Sequence, residues 1–79
     1  MNNEEEQWAL VLRLRGATTP LVLPCSEDTP EKTAWNFLSG AFLHRKDGQV
    51  VAPDFCEPPA IIDFNEVQVA WVSPLSAFL

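Results

Sequence analysis

Residues 61–79 read IIDFNEVQVAWVSPLSAFL, and most positions of this stretch after Glu66 are apolar. Side chains alternate between the two sides of a strand, so residues i and i+2 share a face. Residues 66–72 therefore predict a strand with one apolar face formed by Val67, Val69 and Trp71. Its second face, with Gln68, Ala70 and Val72, is mostly apolar as well. Because so much apolar surface must be covered, this stretch decides how the rest of a small chain is arranged.

Two further strands are predicted nearer the start of the chain. The apolar face of the first, residues 8–15, consists of Trp8, Leu10, Leu12 and Leu14. Gly16 suits a turn, and residues 21–25 form a second strand that pairs antiparallel with the first. Pro20 and Pro24 cannot donate ladder hydrogen bonds, so this second strand either lies at an edge of the sheet or pairs only through the residues between the two prolines.

A single helix is predicted over about residues 29–39. Asp28 or Thr29 fits the N-cap, Pro30 fits the first turn, and Gly40 fits the position just past the end. Apolar residues recur along this segment at helical spacing, so one stripe of the helix is expected to face the sheet.

Two interpretations remain for residues 41–52. In one, the helix continues through Gly40, at a cost of about 1 kcal/mol relative to Ala. In the other, Asp47-Gly48 forms the turn of a hairpin between residues 42–46 and 49–52, since Asp-Gly is a favoured two-residue turn. The hairpin is the preferred interpretation.

The proline-rich loop, residues 53–59, contains three prolines and interrupts regular structure. Strands at residues 60–64 and 66–72 follow it. The sequence predicts an α+β fold in the order β-β-α-β-β-β, with a single small antiparallel sheet and one helix packed on one face. Residues 1–6 are expected to be a disordered polar lead, and residues 7–79 a single domain that ends in an apolar C-terminal tail, residues 74–79.

The composition restricts the classes of function. The chain has 79 residues and a net charge of −6, which disfavours nucleic-acid binding because that affinity rests largely on Lys and Arg. No apolar run is long enough for a membrane helix, and the acidic start lacks the basic region of a secretion signal. We therefore expect a cytoplasmic protein with no nucleic-acid or membrane partner, in which Cys25 and Cys56 stay reduced.

No pattern of catalytic or metal-binding residues stands out. His44 is the only histidine, and together with Cys25 and Cys56 it lacks the close ligand spacing of zinc motifs. The acids within residues 27–31 are explained by their favourable position at a helix N-terminus. We expect no catalytic residues, no metal site and no cofactor.

Aromatic and apolar side chains are the candidate binding residues, since Trp is enriched in interaction hot spots. Trp35 lies at the margin of the helix stripe, where it would line a shallow groove with Phe55 of the proline-rich loop. The full candidate set is Trp35, Phe55, Trp71, Leu75 and Phe78.

One helix can cover only one face of the predicted sheet, and an apolar face left open would form an unusually large patch for a soluble monomer. The residues expected on the uncovered face are Val11, Val22, Ala70 and Val72. Either the tail folds back across this face and the chain is a monomer, or the face or the tail docks on a second copy. The homodimer is favoured, because two-fold pairing is the commonest way for a small protein to enlarge its core.

These expectations favour a small non-enzymatic protein-binding or adaptor module that self-associates and has a possible protein partner. One alternative is an acidic inhibitor, encoded by a mobile element, that mimics nucleic acid and carries a contiguous acidic strip. Another is a small-ligand-binding protein whose aromatic pocket, between helix and sheet, is lined by Trp35, Phe37 and Phe42.

Overall fold

The computed structural model describes residues 6–44 and 50–78. The predicted α+β class and the order β-β-α-β-β-β are confirmed. Short 3-10 turns cover Phe64–Glu66 and Leu75–Phe78. The elements are β1 (Trp8–Leu14), β2 (Leu21–Pro24), α1 (Glu31–His44), β3 (Val50–Val51), β4 (Ile62–Asp63) and β5 (Val67–Pro74).

The five strands form two antiparallel sheets where the sequence predicted one. The larger sheet has the order β2-β1-β5, so β1 is its central strand, and β3 pairs only with β4. The strands β3 and β4 have two residues each. Pro53, Pro58 and Pro59 lie between them and lack the N–H group that a longer ladder needs. The peptide bond before Pro58 is cis.

The predicted hairpin at the start of the chain is confirmed. In its register, Leu10 is opposite Leu23 and Leu12 is opposite Leu21. The N–H of Ala17 donates to the carbonyl of Leu14 at 3.1 Å, and Gly16 has a φ of 79°. Gly16 therefore supplies the positive φ that this turn requires. The strand β2 is an edge strand, as its two flanking prolines predicted.

The helix α1 begins two residues later than predicted. Thr29 does not cap it; its Oγ1 lies 2.6 Å from the Oγ of Ser26, and Asp28 accepts from the same Oγ at 2.9 Å. These bonds stabilise the turn before the helix. The first helical N–H groups, from Thr33 and Ala34, donate instead to the carbonyl of Pro30.

The helix also ends later than predicted, at His44, so the proposed strand at residues 42–46 is wrong. Phe42 packs edge-to-face on Phe64 with ring centroids 5.4 Å apart. This aromatic contact offsets the poor helix propensity of Gly40. The turn at Asp47-Gly48 lies outside the described residues, and the strand that follows it pairs with β4.

One core lies between the larger sheet and α1. Its β1 members, Leu10 and Leu12, have no exposed surface, and Ala34 and Leu38 face them from the helix. The remaining buried members of this cluster are Cys25, Cys56, Ile62, Phe64, Val67 and Val72.

A bulge in β5 changes the faces that the alternating pattern predicted. Arg13 is opposite Val69 and Leu14 is opposite Val67, so Gln68 is an extra residue in the ladder. Val67 is consequently buried in the core under α1. Its predicted place on the same face as Val69 and Trp71 is wrong, because one extra residue reverses the alternation.

Within the described ranges, no helix has both the length and the apolar composition needed to span a bilayer.

Candidate interaction surface

The larger sheet has a helix face and an opposite face, which we call the open face. The register of the three strands places on the open face the side chains of Ala9, Val11, Arg13, Val22, Pro24, Val69, Trp71 and Ser73. Apart from Arg13, none of them is charged. None of them belongs to the core cluster or to the side chains packed against it.

The centre of the open face is shielded by its neighbours. Val11 has no exposed surface, and Val22 and Trp71 lie directly opposite it on the two flanking strands. Side chains in such pairs contact each other across the strands. Trp71 is half-buried and Val69 is 48% exposed. The open face thus exposes parts of Trp71 and Val69 beside Val11, which is fully buried.

The sequence assigned two β5 residues to the wrong face. Ala70 and Val72 were expected on the uncovered side, but they are opposite Leu12 and Leu10 and pack toward α1. Val69 and Trp71 occupy the open face instead. The assignments of Val11 and Val22 to the open face are confirmed.

The outer edge of β5 carries free backbone groups. The N–H of Leu75 donates to the carbonyl of Gln7 at 2.8 Å, so the residues of β5 that exchange hydrogen bonds with β1 are Val69, Trp71 and Ser73. The N–H and C=O groups of Ala70 and Val72 therefore point away from β1. No backbone partner for them is present among residues 6–44 and 50–78.

The tail is fixed where it leaves β5. Besides the bond from Leu75 to Gln7, the Oγ of Ser76 donates to Oε2 of Glu6 at 3.1 Å. Leu75 is half-buried, whereas Phe78 is 43% exposed. The tail thus packs against the residues that precede β1, and Leu79 lies outside the described residues.

Trp35 and Phe55 are in different environments. Trp35 is 42% exposed, and its Nε1 donates to Oε2 of Glu31 at 3.3 Å. Phe55 packs edge-to-face on Phe37 with centroids 5.4 Å apart. No ring contact joins Trp35 to Phe55 in the part of the chain that the structure describes.

Two of the three residues predicted to line an aromatic ligand pocket contact a third aromatic ring. Phe37 and Phe42 both pack edge-to-face on Phe64, with centroids 5.9 and 5.4 Å apart. Phe37 and Phe42 are therefore packed against another side chain, while Trp35, the third predicted pocket residue, is 42% exposed.

A group of acids surrounds an open depression of about 400 Å³ near the start of α1. The sequence explained the acids of residues 27–31 by the helix dipole alone and did not include Glu6. Pairing of Trp8 with the end of β2 brings Glu6 to the same place. The depression is lined by Glu6, Trp8, Glu27, Asp28, Thr29, Pro30 and Glu31.

The two cysteines of the considered zinc set meet in an antiparallel bridge, Cys25 opposite Cys56. The side chain of His44 lies outside the described part of the structure. Burial raises the pKa of both thiols, and the neighbouring Cys25 raises that of Cys56 further, to about 11. Both are therefore protonated at neutral pH. In the described ranges, no group of three or more His, Cys, Asp or Glu side chains is placed to hold a metal ion.

Comparisons of the chain with protein-family models, curated proteins and solved structures return no match. The geometry of the molecule is therefore the basis for a functional proposal.

Proposed function

We propose that this chain is a small protein-binding module without catalytic activity, and that it self-associates as a homodimer through its open face. The observation that supports this is the largely apolar open face, whose single charged side chain is Arg13 and which lies on the side of the sheet away from α1. A cytoplasmic setting fits the two free thiols.

Face-to-face packing of two copies would bury this surface. Two sheets pack about 10 Å apart, with side chains of both inner faces interdigitating. A two-fold axis would bring the same patch of each copy together. Trp71 lies opposite Val11 of the central strand β1, so its ring would be near the middle of the interface. Large aromatic side chains at such positions supply much of the binding energy.

The charge distribution favours this surface over the rest of the molecule. The net charge of −6 makes two copies repel each other at long range. No residue of β5 is charged, and the single charge of the open face is Arg13. Two copies can therefore approach here without placing carboxylates against each other.

A pair of matched variants tests the homodimer. Val69→Lys places a cation on the open face, whereas Ile61→Lys makes the same charge change at a residue that is 77% exposed and lies outside the larger sheet. We expect Val69→Lys to weaken self-association at least tenfold, since a buried unpaired charge is costly. Ile61→Lys should leave it unchanged.

Sedimentation equilibrium over micromolar concentrations measures both variants. A parent protein that stays at the monomer mass of 8.8 kDa throughout this range contradicts the proposal. Equal weakening by both substitutions contradicts the assignment to the open face.

The acidic depression supports a second candidate, an acidic inhibitor that occupies a basic groove on another protein. Four of its lining residues, Glu6, Glu27, Asp28 and Glu31, are acidic, and a nucleic-acid mimic needs such acids close together. The double variant Glu27→Gln/Asp28→Asn should weaken binding of a lysine- and arginine-rich peptide severalfold, as measured by calorimetry. The control Asp54→Asn/Glu57→Gln makes the same charge change at residues that do not line the depression. Equal losses in both would show that only net charge matters and would exclude this candidate.

A further inference from the structure

Cys25 and Cys56 lie opposite each other between the end of β2 and the proline-rich loop. The N–H of Ser26 donates to the carbonyl of Phe55 at 2.6 Å, and the N–H of Glu57 donates to the carbonyl of Pro24 at 2.9 Å. These bonds flank the cysteines on both sides, so the two cysteines exchange no backbone hydrogen bond with each other. In such a pair the Cα atoms are about 4.5 Å apart, closer than in a hydrogen-bonded pair.

This geometry meets the requirements of a disulfide. A disulfide needs Cα atoms roughly 4.4–6.8 Å apart, with the two Cβ atoms directed toward each other. Residues directly opposite in an antiparallel pair have their side chains on the same face. Both thiols are buried in the same core cluster, so the two sulfur atoms can be joined without displacing the backbone.

We propose that Cys25 and Cys56 are an oxidative modification site, at which a disulfide closes across the bridge when the protein meets a low-molecular-weight disulfide such as oxidised glutathione. The thiolate of one cysteine attacks a sulfur of oxidised glutathione, which releases one glutathione thiolate and leaves a mixed disulfide. The second cysteine thiolate then displaces the other glutathione. Two protein thiols are oxidised, one oxidised glutathione is reduced to two thiols, and the two cysteine protons pass to the released glutathiones.

The environment of the cysteines makes this reaction slow at neutral pH. Burial raises the pKa of both thiols, and only the thiolate attacks a disulfide. Local opening of the bridge is also needed before glutathione can reach either sulfur. We expect the rate of closure to rise with pH between about 7 and 9, in proportion to the thiolate fraction.

Closure would join the edge strand β2 to the proline-rich loop and enclose the segment that contains α1. A disulfide between Cys25 and Cys56 closes a loop of residues 25–56, and such a cross-link stabilises a fold mainly by restricting the unfolded chain. The melting temperature should therefore rise by on the order of 10 °C.

The experiment equilibrates the full chain in mixtures of reduced and oxidised glutathione, both in native buffer and in concentrated urea. Exchange is then quenched with an excess of N-ethylmaleimide in denaturant, which alkylates the remaining free thiols, and the products are counted by intact mass under non-reducing conditions. The chain has two cysteines. The intramolecular disulfide is therefore the species that has the mass of a monomer and carries neither an alkyl group nor a glutathione. We expect its equilibrium constant to be on the order of 10²-fold larger in native buffer than in urea.

The variants Cys56→Ala and Cys56→Ser retain Cys25 and cannot close the bridge. With oxidised glutathione they should form only a mixed disulfide, with no rise in melting temperature. An equilibrium constant for the parent that is no larger in native buffer than in urea overturns the proposal. So does a native product that consists mainly of mixed disulfides or disulfide-linked dimers.

Discussion

At the scale of single residues, Phe64 and three further aromatic rings join three separate parts of the chain. Phe64 is buried in the turn before β5, and its ring contacts Phe37 and Phe42, which lie on successive turns of α1. Phe37 in turn contacts Phe55 of the proline-rich loop. Edge-to-face pairs of this kind contribute about 0.5–1.5 kcal/mol each beyond their buried area. The four rings therefore hold together the helix, the proline-rich loop and the turn before β5.

Two glycines allow a matched test of backbone conformation. A Cβ at Gly16 or at Gly40 would meet no atom within 4 Å, so substitution by Ala creates no clash at either position. Gly40→Ala should stabilise the protein by about 0.5–1 kcal/mol, because Ala has the higher helix propensity. Gly16→Ala should destabilise it by about 1–2 kcal/mol, because Gly16 has a φ of 79°.

Urea unfolding of the parent and both variants measures these changes. The two substitutions must change the free energy of unfolding in opposite directions. A Gly40→Ala variant less stable than the parent would show that α1 does not run through this position.

At the scale of elements, β5 is an edge strand without the usual protection. Edge strands commonly carry charges or prolines that discourage pairing with other chains. Before its final residue Pro74, β5 carries neither, whereas Pro20 precedes β2 and Pro24 ends it at the other edge of the sheet. The backbone groups of Ala70 and Val72, which have no backbone partner among residues 6–44 and 50–78, lie on the same strand as the open-face residues Val69 and Trp71. A second copy could use both the edge and the face.

Proline substitution distinguishes the free edge from the paired edge of β5. The N–H of Ala70 points away from β1, while Trp71 exchanges hydrogen bonds with Val11 in the observed register. Ala70→Pro should retain the fold with a moderate loss of stability, since proline is tolerated where an edge N–H is unpaired. Trp71→Pro should lose about 3 kcal/mol or more, which is enough to unfold a domain of this size.

Circular dichroism during thermal unfolding measures both variants. If the two lose equal stability, the deduced hydrogen-bond direction of β5 is wrong. If Ala70→Pro folds and still self-associates like the parent, the contact between copies uses the open face without the edge.

The sequence predicted those elements whose signals are local. Alternation identified β1, and two prolines placed β2 at an edge. The length of α1 was not predictable in this way, because the contact of Phe42 with Phe64 decides between helix and hairpin and depends on the tertiary fold. The same holds for the faces of β5, since nothing in the local pattern marks Gln68 as an extra residue.

The candidate surface was predicted only in part, because the faces of β5 depend on the bulge at Gln68. Val11 and Val22 were correctly assigned to the face of the sheet away from α1. Trp71 stays a predicted binding residue, and the register of β5 places it on the same face. Val69 replaced Ala70 and Val72 on the open face once the bulge had set the register. The pairing of Cys25 with Cys56 involves residues far apart in sequence and could be found only in three dimensions.

At the scale of the whole molecule, net charge opposes self-association. Two copies with a charge of −6 each repel, and raising the ionic strength from about 0.01 M to about 0.1 M shortens the Debye length from about 30 Å to about 10 Å. If the interface is the open face, which carries no carboxylate, salt should tighten the homodimer severalfold. Sedimentation equilibrium at the two salt concentrations measures this. Weaker association at the higher salt would indicate that opposite charges hold the copies together and would contradict an apolar interface.

The central place of β1 has a further consequence, for the kinetics of folding. Its pairing with β2 needs only a short turn, and hairpins of this kind form within about 1–10 μs. Its pairing with β5 joins distant parts of the chain, as does the bond from Ser76 to Glu6, which spans 70 positions. Closing such a large loop costs entropy before the contacts form, so we expect folding in milliseconds to seconds. Substitutions that weaken the β1–β5 pairing should then mainly slow refolding, if that pairing forms in the transition state.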